Sequence, residues 1–314
     1  MTEGEIGGSG VLNAWARLLP TLPDPAAGRQ VAKLERELAD RFDVAAAVVV
    51  SSGTAALHTA LAALGIGPGD EVLVPALSVV MSAAPIVYTG ARPVFVDCIP
   101  DGWDLDYADL EAKASHATRA VMPVHLWGRL TDRDRLRRFA TKRGLHIVED
   151  ACQAQGSSIG GRAAGTLGTV GCFSLKDGKI MWSSEGGYLL TNDPDLAGRS
   201  RAFRSHWQTP PPGQPPMAQL GHNYRLAEPL AVLARAIAEA RSSGAPASRA
   251  SPARKPTSTP PPATWVCIWP LASLASLPII PQTVAKGTPR PAARRRASPV
   301  KIPIWTKAIS GKLG

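Results

Sequence analysis

Short apolar runs alternate along the chain with stretches of helical apolar spacing, from about residue 28 to residue 240. Such runs are typical of strands that are buried on both faces. The predicted strands are 45–50, 71–75, 92–97, 120–125, 145–149, 170–174 and 188–191. The predicted helices are 31–38, 55–64, 79–88 with an interruption at Pro85, and 132–143 with a cap at Gly144. The pattern therefore predicts an α/β fold, a three-layer structure whose mostly parallel sheet carries helices on both faces.

The charge distribution divides the chain near residue 240. Residues 241–314 contain 12 of the 35 Lys and Arg residues, 13 of the 29 prolines and no Asp or Glu. They also lack apolar periodicity, so the net charge of +10 belongs to this tail rather than to the rest of the chain. We predict an N-terminal segment at 1–27, one large α/β domain at 28–240, and a tail at 241–314 that is disordered or is an out-of-frame translation product.

Several classes of protein are disfavoured by what the sequence lacks. No apolar run reaches the 18 or so residues that a membrane-spanning helix needs, and the acidic N-terminus has no secretory signal. The cysteines at 98, 152, 172 and 267 have no paired spacing, which indicates reduced thiols and no metal site. The basic residues of the tail are scattered, so nucleic acid is not an expected partner. We expect a cytoplasmic protein without a membrane partner.

Three chemically distinctive segments follow predicted strands. Residues 52–55 join a buried strand to a helix, and the N–H groups and dipole of a helix start favour a phosphate. Asp150 ends an apolar strand, where a carboxylate needs a cationic partner. Lys179 follows strand 170–174, and the glycines just beyond it allow close backbone approach. A phosphate turn, a carboxylate and a lysine, in this order, are the parts that hold pyridoxal phosphate.

Each of these features also has a simpler explanation. The turn at 52–55 could be an ordinary capped helix start, and Asp150 could be a capping or ion-paired residue. Lys176 competes with Lys179, and either could be a solvated surface residue. A lysine that forms a Schiff base must be partly desolvated, so that its amine is neutral often enough to react. His125 also ends a predicted strand and is a candidate for direct contact with the coenzyme, although a lone histidine is more often structural.

Residues 28–240 resemble the DegT–DnrJ–StrS sugar aminotransferases, which depend on pyridoxal phosphate and have the aspartate aminotransferase fold, type I. The resemblance rests on seven short stretches whose order and spacing are specific. They are 51–58, 67–72, 93–97, 123–128, 149–154, 185–187 and 221–226. Together they span about two thirds of the chain, which therefore corresponds to the large domain of such an enzyme.

The resemblance implies roles for the matching positions. Lys179, rather than Lys176, aligns with the lysine that carries the coenzyme, and Asp150 aligns with the partner of its ring nitrogen. Gln153 aligns with a residue near the coenzyme hydroxyl. Asn223 aligns with a residue that reaches the phosphate of a neighbouring subunit, which implies a homodimer with shared active sites. The implied phosphate contacts are Gly53, Thr54, Ala55 and Ser174.

The activity that the resemblance implies is the transfer of an amino group from glutamate or glutamine to a keto sugar or keto cyclitol, in nucleotide-sugar or antibiotic biosynthesis. Some relatives are sugar dehydratases that have histidine in place of the lysine, and Lys179 argues against that alternative. A truncated, non-catalytic remnant of the family is the other alternative.

The sequence departs from the family pattern in four places, of which Val79 and the tail motivate the remnant hypothesis. Val79 stands where the family usually has an aromatic residue that stacks on the coenzyme. Ser184 replaces a usual glycine, and Pro229 falls where a helix normally continues. The family's small C-terminal domain completes the substrate pocket and the dimer, and the tail at 241–314 does not resemble it. The sequence thus predicts a missing or replaced small domain.

Overall fold

A computed structural model describes residue 16 and residues 29–100, 102–215 and 219–242 of the chain. The predicted segment 1–27 and tail 241–314 therefore lie outside the described residues, apart from residue 16 and the backbone at 241 and 242. The predicted domain at 28–240 is described almost throughout. Among the described residues, no helix has the length and apolar character needed to cross a membrane.

Seven strands form the central sheet of the described region. They are β1 (Ala46–Val50), β2 (Glu71–Pro75), β3 (Arg92–Val96), β4 (Thr118–Val121), β5 (His146–Asp150), β8 (Val170–Ser174) and β9 (Gly187–Thr191). A separate hairpin is formed by β6 (Ser158–Ile159) and β7 (Arg162–Ala163). The spatial order of the sheet is β1-β9-β8-β5-β4-β2-β3.

The sheet is mostly parallel, as the apolar runs predicted. Strands β3, β2, β4, β5 and β8 run parallel to one another, whereas β9 is antiparallel to both β8 and β1. Parallel neighbours need a long crossover, usually a helix. The connection at 175–186 between β8 and β9 contains no helix, so β9 returns antiparallel. The segment that carries Lys179 is therefore the loop of a long hairpin.

Helices cover both faces of the sheet. They are α1 (Arg29–Phe42), α2 (Gly53–Ala63), α3 (Val80–Tyr88), α4 (Tyr107–Lys113), α5 (Arg133–Arg143), α6 (Pro194–Arg204) and α7 (Glu228–Ser242). Side chains alternate along β1: Val48 packs in a cluster with Leu57 of α2, whereas Val49 packs in a cluster with Leu34 of α1. This alternation confirms the predicted three-layer architecture.

Capping residues and prolines set several helix ends. The Asp132 side chain accepts a hydrogen bond from the Arg135 N–H at 3.0 Å, and Gly144 closes α5 at φ 65°. The predicted interruption at Pro85 does not occur, because α3 continues through that residue to Tyr88. Pro229 lies in the first turn of α7, where a missing N–H costs little, and the helix continues beyond it.

Charged side chains close the outer edge of β1. Glu35 of α1 is 7% exposed and accepts a hydrogen bond from the Val49 N–H at 3.0 Å. Arg201 and Arg204 of α6 both pair with Glu35. The two guanidinium groups also donate to the backbone oxygens of Ala47 and Val49, respectively. Side chains from two helices thus satisfy backbone groups that a further strand would otherwise pair.

Candidate active site

The candidate residues of four segments meet at one edge of the sheet. Asp150 of β5 is paired with Cys172 of β8, so the carboxyl ends of these parallel strands lie side by side. At the start of β9, Gly187 pairs with Ser174 on one side and with Val50 on the other. The turn from β1 into α2 therefore reaches the end of β8. This is the edge at which parallel α/β sheets bind ligands.

Asp150 is buried at this edge with a defined orientation. It is 4% exposed, and its Oδ2 accepts a hydrogen bond from the Ser82 hydroxyl at 2.6 Å. Its Oδ1 accepts from the Cys152 N–H at 3.2 Å. Two carboxylate oxygens can accept about four hydrogen bonds, so these two contacts leave acceptor capacity for a further N–H donor.

Glu149 lies on the other face of β5 from Asp150, and it pairs with the candidate residue His125. The Nε2 of His125 is 2.9 Å from the Oε2 of Glu149, and both side chains are 1% exposed. The Thr131 N–H donates to the other ring nitrogen, at 3.5 Å. Strand alternation directs Glu149 away from Asp150. His125 is therefore a buried partner of Glu149, and its direct contact with the coenzyme stays a prediction.

The first turn of α2 lies close against the end of β8. The Ser52 hydroxyl caps the helix by accepting from the Ala55 N–H at 3.0 Å. A Cβ atom at Gly53 would lie 2.8 Å from the Cβ of Ser174 and 2.9 Å from the Sγ of Cys152. Glycine is therefore required for this approach. The sequence-predicted phosphate residues Gly53, Thr54, Ala55 and Ser174 are thus neighbours, at a helix N-terminus that favours an anion.

Lys179 differs from Lys176 in its surroundings. Lys176 is exposed, whereas Lys179 is half-buried in the hairpin loop between β8 and β9. Burial and the nearby Asp150 carboxylate raise the pKa of the Cys152 thiol well above its usual value, and the positive charge of Lys179 acts in the opposite direction. Lys179 therefore lies within electrostatic range of Cys152, which is adjacent to Asp150. This placement agrees with the choice of Lys179 over Lys176.

Gln153 and Asn223 lie on two further segments near this edge. The Oε1 of Gln153 accepts a hydrogen bond from the Trp127 N–H at 3.2 Å, and Trp127 has a left-handed backbone with φ 54°. Asn223 is exposed and forms an isolated bridge with Ser205. The carbonyl of the next residue, Tyr224, accepts from the Ser51 N–H at 2.8 Å. The Asn223 segment therefore runs beside the turn that leads into α2.

Sequence reasoning missed Ser82 and Gln155. Ser82 is fully buried, and its hydroxyl also lies 2.7 Å from that of Ser78, which precedes α3 by two residues. A serine on an otherwise apolar helix was the available signal, but it does not name Asp150 as the partner. Gln155 is 6% exposed and follows the matched stretch 149–154 by one residue. A buried amide needs several partners, but the sequence alone does not name them.

An α/β fold whose sheet edge carries a helix start, a buried carboxylate and a lysine loop is that of the pyridoxal-phosphate-dependent transferases. The profile of the DegT/DnrJ/EryC1/StrS aminotransferase family matches residues 24–239. The chain belongs to this family, which confirms the resemblance carried by the seven short stretches.

The curated relatives include sugar and cyclitol enzymes. GDP-perosamine synthase of Caulobacter vibrioides is 43% identical over 183 residues, which are 58% of this chain and 49% of that protein. L-glutamine:2-deoxy-scyllo-inosose aminotransferase of Streptomyces kanamyceticus is 38% identical over 223 residues, which are 68% of this chain and 52% of that protein. The chain thus spans about half the length of the curated relatives that it matches.

Solved structures give the same result for the fold. DesV of S. venezuelae matches with a TM-score of 0.68 and 37% identity, over 76% of this chain and 64% of that one. The PLP form of Spr1654, a putative sugar aminotransferase of Streptococcus pneumoniae, matches with a TM-score of 0.66 and 26% identity. The latter match covers 75% of this chain and 65% of that one.

Pyridoxal phosphate is the cofactor of this family, and the residues at the sheet edge fit it. The buried Asp150 carboxylate has spare acceptor capacity toward a ring N–H. The close approach at Gly53 brings the backbone of the α2 start against Ser174, as a phosphate cradle requires. Val79 precedes the first residue of α3 and is half-buried, so an aliphatic side chain occupies the position of the usual aromatic residue.

Proposed function

We propose that residues 28–240 form the large domain of a pyridoxal-phosphate-dependent aminotransferase. The amino group would pass from glutamine or glutamate to a keto sugar or keto cyclitol. The observation that carries this proposal is the convergence of Asp150, the α2 start and the loop of Lys179 at one sheet edge. The substrate class is supported by the relatives, whose names include a GDP-linked sugar and a scyllo-inosose ketone.

Asp150 would keep the ring nitrogen of the coenzyme protonated. Its carboxylate is held by Ser82 and by the Cys152 N–H, so it is oriented before the coenzyme binds. A carboxylate at that nitrogen favours the protonated ring. Bound there, pyridoxal phosphate supplies an electron sink for cleavage of a C–H bond beside nitrogen.

The start of α2 would bind the phosphate. Backbone N–H groups of Gly53, Thr54 and Ala55 lie in the first helical turn, and the Ser174 side chain lies against that turn. Gln153 would contact the coenzyme hydroxyl, for which it would exchange its bond to the Trp127 N–H.

Lys179 would have two roles in the same site. Its Nζ would hold the coenzyme in the resting enzyme and be released by the amino donor. The free amine would then accept a proton from the donor carbon and return it during transfer to the ketone, as a general base and acid. A sugar dehydratase of the kind that has histidine at this position is disfavoured by Lys179 itself.

The cellular setting and assembly follow the family resemblance. We propose a cytoplasmic homodimer in which Asn223 reaches the phosphate bound by the neighbouring subunit. A role in nucleotide-sugar or antibiotic biosynthesis agrees with a relative named dTDP-3-amino-3,4,6-trideoxy-alpha-D-glucose transaminase, which is 43% identical over 180 residues. No nucleic-acid or membrane partner is proposed.

The first test is borohydride trapping of the coenzyme on the lysine. The full chain is incubated with pyridoxal phosphate, reduced with borohydride and digested, and the modified peptide is identified by mass spectrometry. We expect the modification at Lys179, because this half-buried lysine lies within electrostatic range of Cys152, which contacts Asp150. Lys179→Ala should reduce trapping to background.

Lys176→Ala is the matched control, because Lys176 lies three residues away in the same loop and is exposed. It should keep wild-type trapping. Equal trapping in wild type and Lys179→Ala, or none in wild type, would contradict the proposal. If Lys179 is trapped, unreduced enzyme loaded with pyridoxal phosphate would then be screened with keto sugars and keto cyclitols, with glutamine and glutamate as donors.

A further inference from the structure

Gln155 connects the two ends of the loop that carries Lys179. Its Nε2 donates to the backbone oxygens of Ser174, at 2.9 Å, and Met181, at 3.1 Å. Its Oε1 accepts from the Met181 N–H at 2.8 Å. All three bonds are buried. One side chain from the segment after β5 thus bonds to the end of β8 and to the residue two positions beyond Lys179.

Other hydrogen bonds hold the base and the tip of this loop, and they show which part of the loop depends on Gln155. The Leu175 N–H bonds to the Gly186 carbonyl, and the Ser183 N–H bonds to the Leu175 carbonyl, which closes the base of the hairpin. At the tip, the Lys179 N–H bonds to the Lys176 carbonyl at 3.2 Å. Between tip and base, the backbone N–H and carbonyl of Met181 both bond to Gln155. The bonds at the hairpin base join the two ends of the loop to each other. The bonds of Gln155 hold the loop against the segment that follows β5.

We infer that Gln155 is a positioning residue that holds Lys179 at the distance from Asp150 that coenzyme attachment requires. The coenzyme part of this inference rests on the proposed function. Asp150 and Gln155 belong to one segment, five residues apart. The lysine loop is therefore attached to the same segment that would orient the coenzyme ring.

The chemistry of the side chain supports a dedicated role. A primary amide offers two N–H donors and an acceptor oxygen, which match the two carbonyls and one N–H that face it. A carboxylate would have no donors, and a thioether would have neither strong donors nor a strong acceptor. Loss of the amide leaves buried backbone groups without partners, which is costly unless the loop moves toward water.

The first experiment measures the position of Lys179 without coenzyme. Trace acetylation of the full-length, coenzyme-free protein gives the labelling ratio of Lys179 to Lys176 by mass spectrometry. Wild type should show the lower reactivity at the half-buried Lys179. In Gln155→Met, which keeps the volume but loses the amide, we expect the ratio to rise about fivefold as the loop is released.

Tyr188→Phe is the matched control. Burial raises the pKa of Tyr188, and a side-chain hydrogen bond with Gln155 acts in the opposite direction. The variant removes this hydrogen bond but keeps the amide that makes the three bonds to the loop. We therefore expect its labelling ratio to stay at the wild-type value. An unchanged ratio in Gln155→Met, or an equal rise in Tyr188→Phe, would overturn the inference.

Gln155→Glu is a second variant in case Gln155→Met does not fold. Its carboxylate can still accept from Met181 but repels both carbonyls, whereas the protonated acid donates to one of them. Burial raises the pKa of such an acid. The ratio should therefore be high near pH 8 and fall toward the wild-type value at about pH 6. A ratio equal to that of wild type at both pH values would contradict the inference.

The second experiment separates this inference from the proposed function. Pyridoxal phosphate is added and trapped with borohydride, and the rate of attachment at Lys179 is compared among the variants. We expect attachment to be about tenfold slower in Gln155→Met and unchanged in Tyr188→Phe. If wild type is not trapped, the proposed function fails, and the labelling ratio still decides whether Gln155 positions Lys179.

Discussion

Ser184 holds a backbone conformation that suits glycine better than serine. Its φ is 69°, and its carbonyl accepts a hydrogen bond from the Asp177 N–H at 3.2 Å across the base of the lysine loop. A side chain in this left-handed region is crowded against its own backbone. The family's usual glycine at this position therefore has a physical reason, and the serine stores local strain beside the candidate active site.

We expect Ser184→Gly to stabilise the protein by about 1 kcal/mol, because it relieves the left-handed strain. The free energy of unfolding would be measured by urea denaturation. Ser184→Ala removes the hydroxyl but keeps the strain, and it should show no gain. Equal stabilisation by both substitutions would mean that the hydroxyl, and not the backbone, is responsible.

Individual site residues differ in how far the sequence could predict them. Asp150 and Lys179 could be named as candidates from the sequence, because each lies in a short local pattern at the end of a strand or just after one. Ser82 and Gln155 were not, since their partners lie 68 residues away for Ser82 and 19 and 26 residues away for Gln155. The pairing of His125 with Glu149 was not predictable either, because a strand end predicts the edge of the sheet but not the partner of the side chain.

At the scale of elements, the start of α2 is set by the contact between its first turn and β8. The space at Gly53 is bounded by Ser174 and Cys152, which belong to two different strand ends. The helix therefore reaches the sheet edge only because residue 53 has no side chain. The same contact brings the backbone N–H groups of the first turn toward the candidate phosphate position.

We expect Gly53→Ala to cost about 1–3 kcal/mol of stability, because its Cβ would overlap two neighbouring side chains. The displacement of α2 should also weaken the affinity for pyridoxal phosphate. Both effects can be measured, by urea denaturation and by fluorescence titration of the coenzyme. Gly67→Ala is the control, since its Cβ would meet its nearest neighbour at an ordinary 3.6 Å. A similar loss in both variants would exclude the contact with β8 as the cause.

Element boundaries were predictable where a cap or an apolar run marked them. Strands β2 and β8 have the predicted bounds, and α5 ends at the predicted cap Gly144 but begins one residue later than predicted, with Asp132 as its N-cap. Helix α4 was missed because its 7 residues are too few to show periodicity. Helix α6 was missed because polar residues mask its apolar face, although Asp193 and Pro194 form a readable N-terminal signal.

At the scale of the whole molecule, strand order depends on contacts that are distant in the chain. The parallel class was predictable from buried apolar runs, but the insertion of β9 between β1 and β8 was not. That insertion brings the β1–α2 turn beside the lysine loop. The strand order of the sheet therefore brings the parts of the candidate site together, although most of its residues lie in short local motifs.

A subunit mixing experiment tests the proposed sharing of sites between subunits. Lys179→Ala and Asn223→Ala are expected to be poorly trapped by borohydride when each is alone, at limiting pyridoxal phosphate. When the two variants are mixed and allowed to exchange subunits, half of the dimers contain one chain of each kind. Each of these dimers has one intact site. Trapping should then recover to about a quarter of the wild-type value.

The control for mixing pairs Lys179→Ala with Lys176→Ala. Lys176→Ala keeps Lys179 and should be trapped both alone and in the mixture. It therefore shows how much trapping is obtained from a chain whose coenzyme lysine is intact. If Lys179→Ala mixed with Asn223→Ala gives only the sum of the separate values, Asn223 acts within its own subunit or not at all. Sedimentation of the mixtures would show whether dimers were present.

The charged residues that close β1 also determine how the sheet can associate with other chains. An open strand edge is a template onto which a strand from another molecule can add, and such addition leads to aggregation. Here Glu35 comes from a helix on one face, and Arg201 and Arg204 come from a helix on the other. A strand that added to this edge would therefore have to displace contacts from both helical layers. Self-association through β1 is thus opposed from both faces of the sheet.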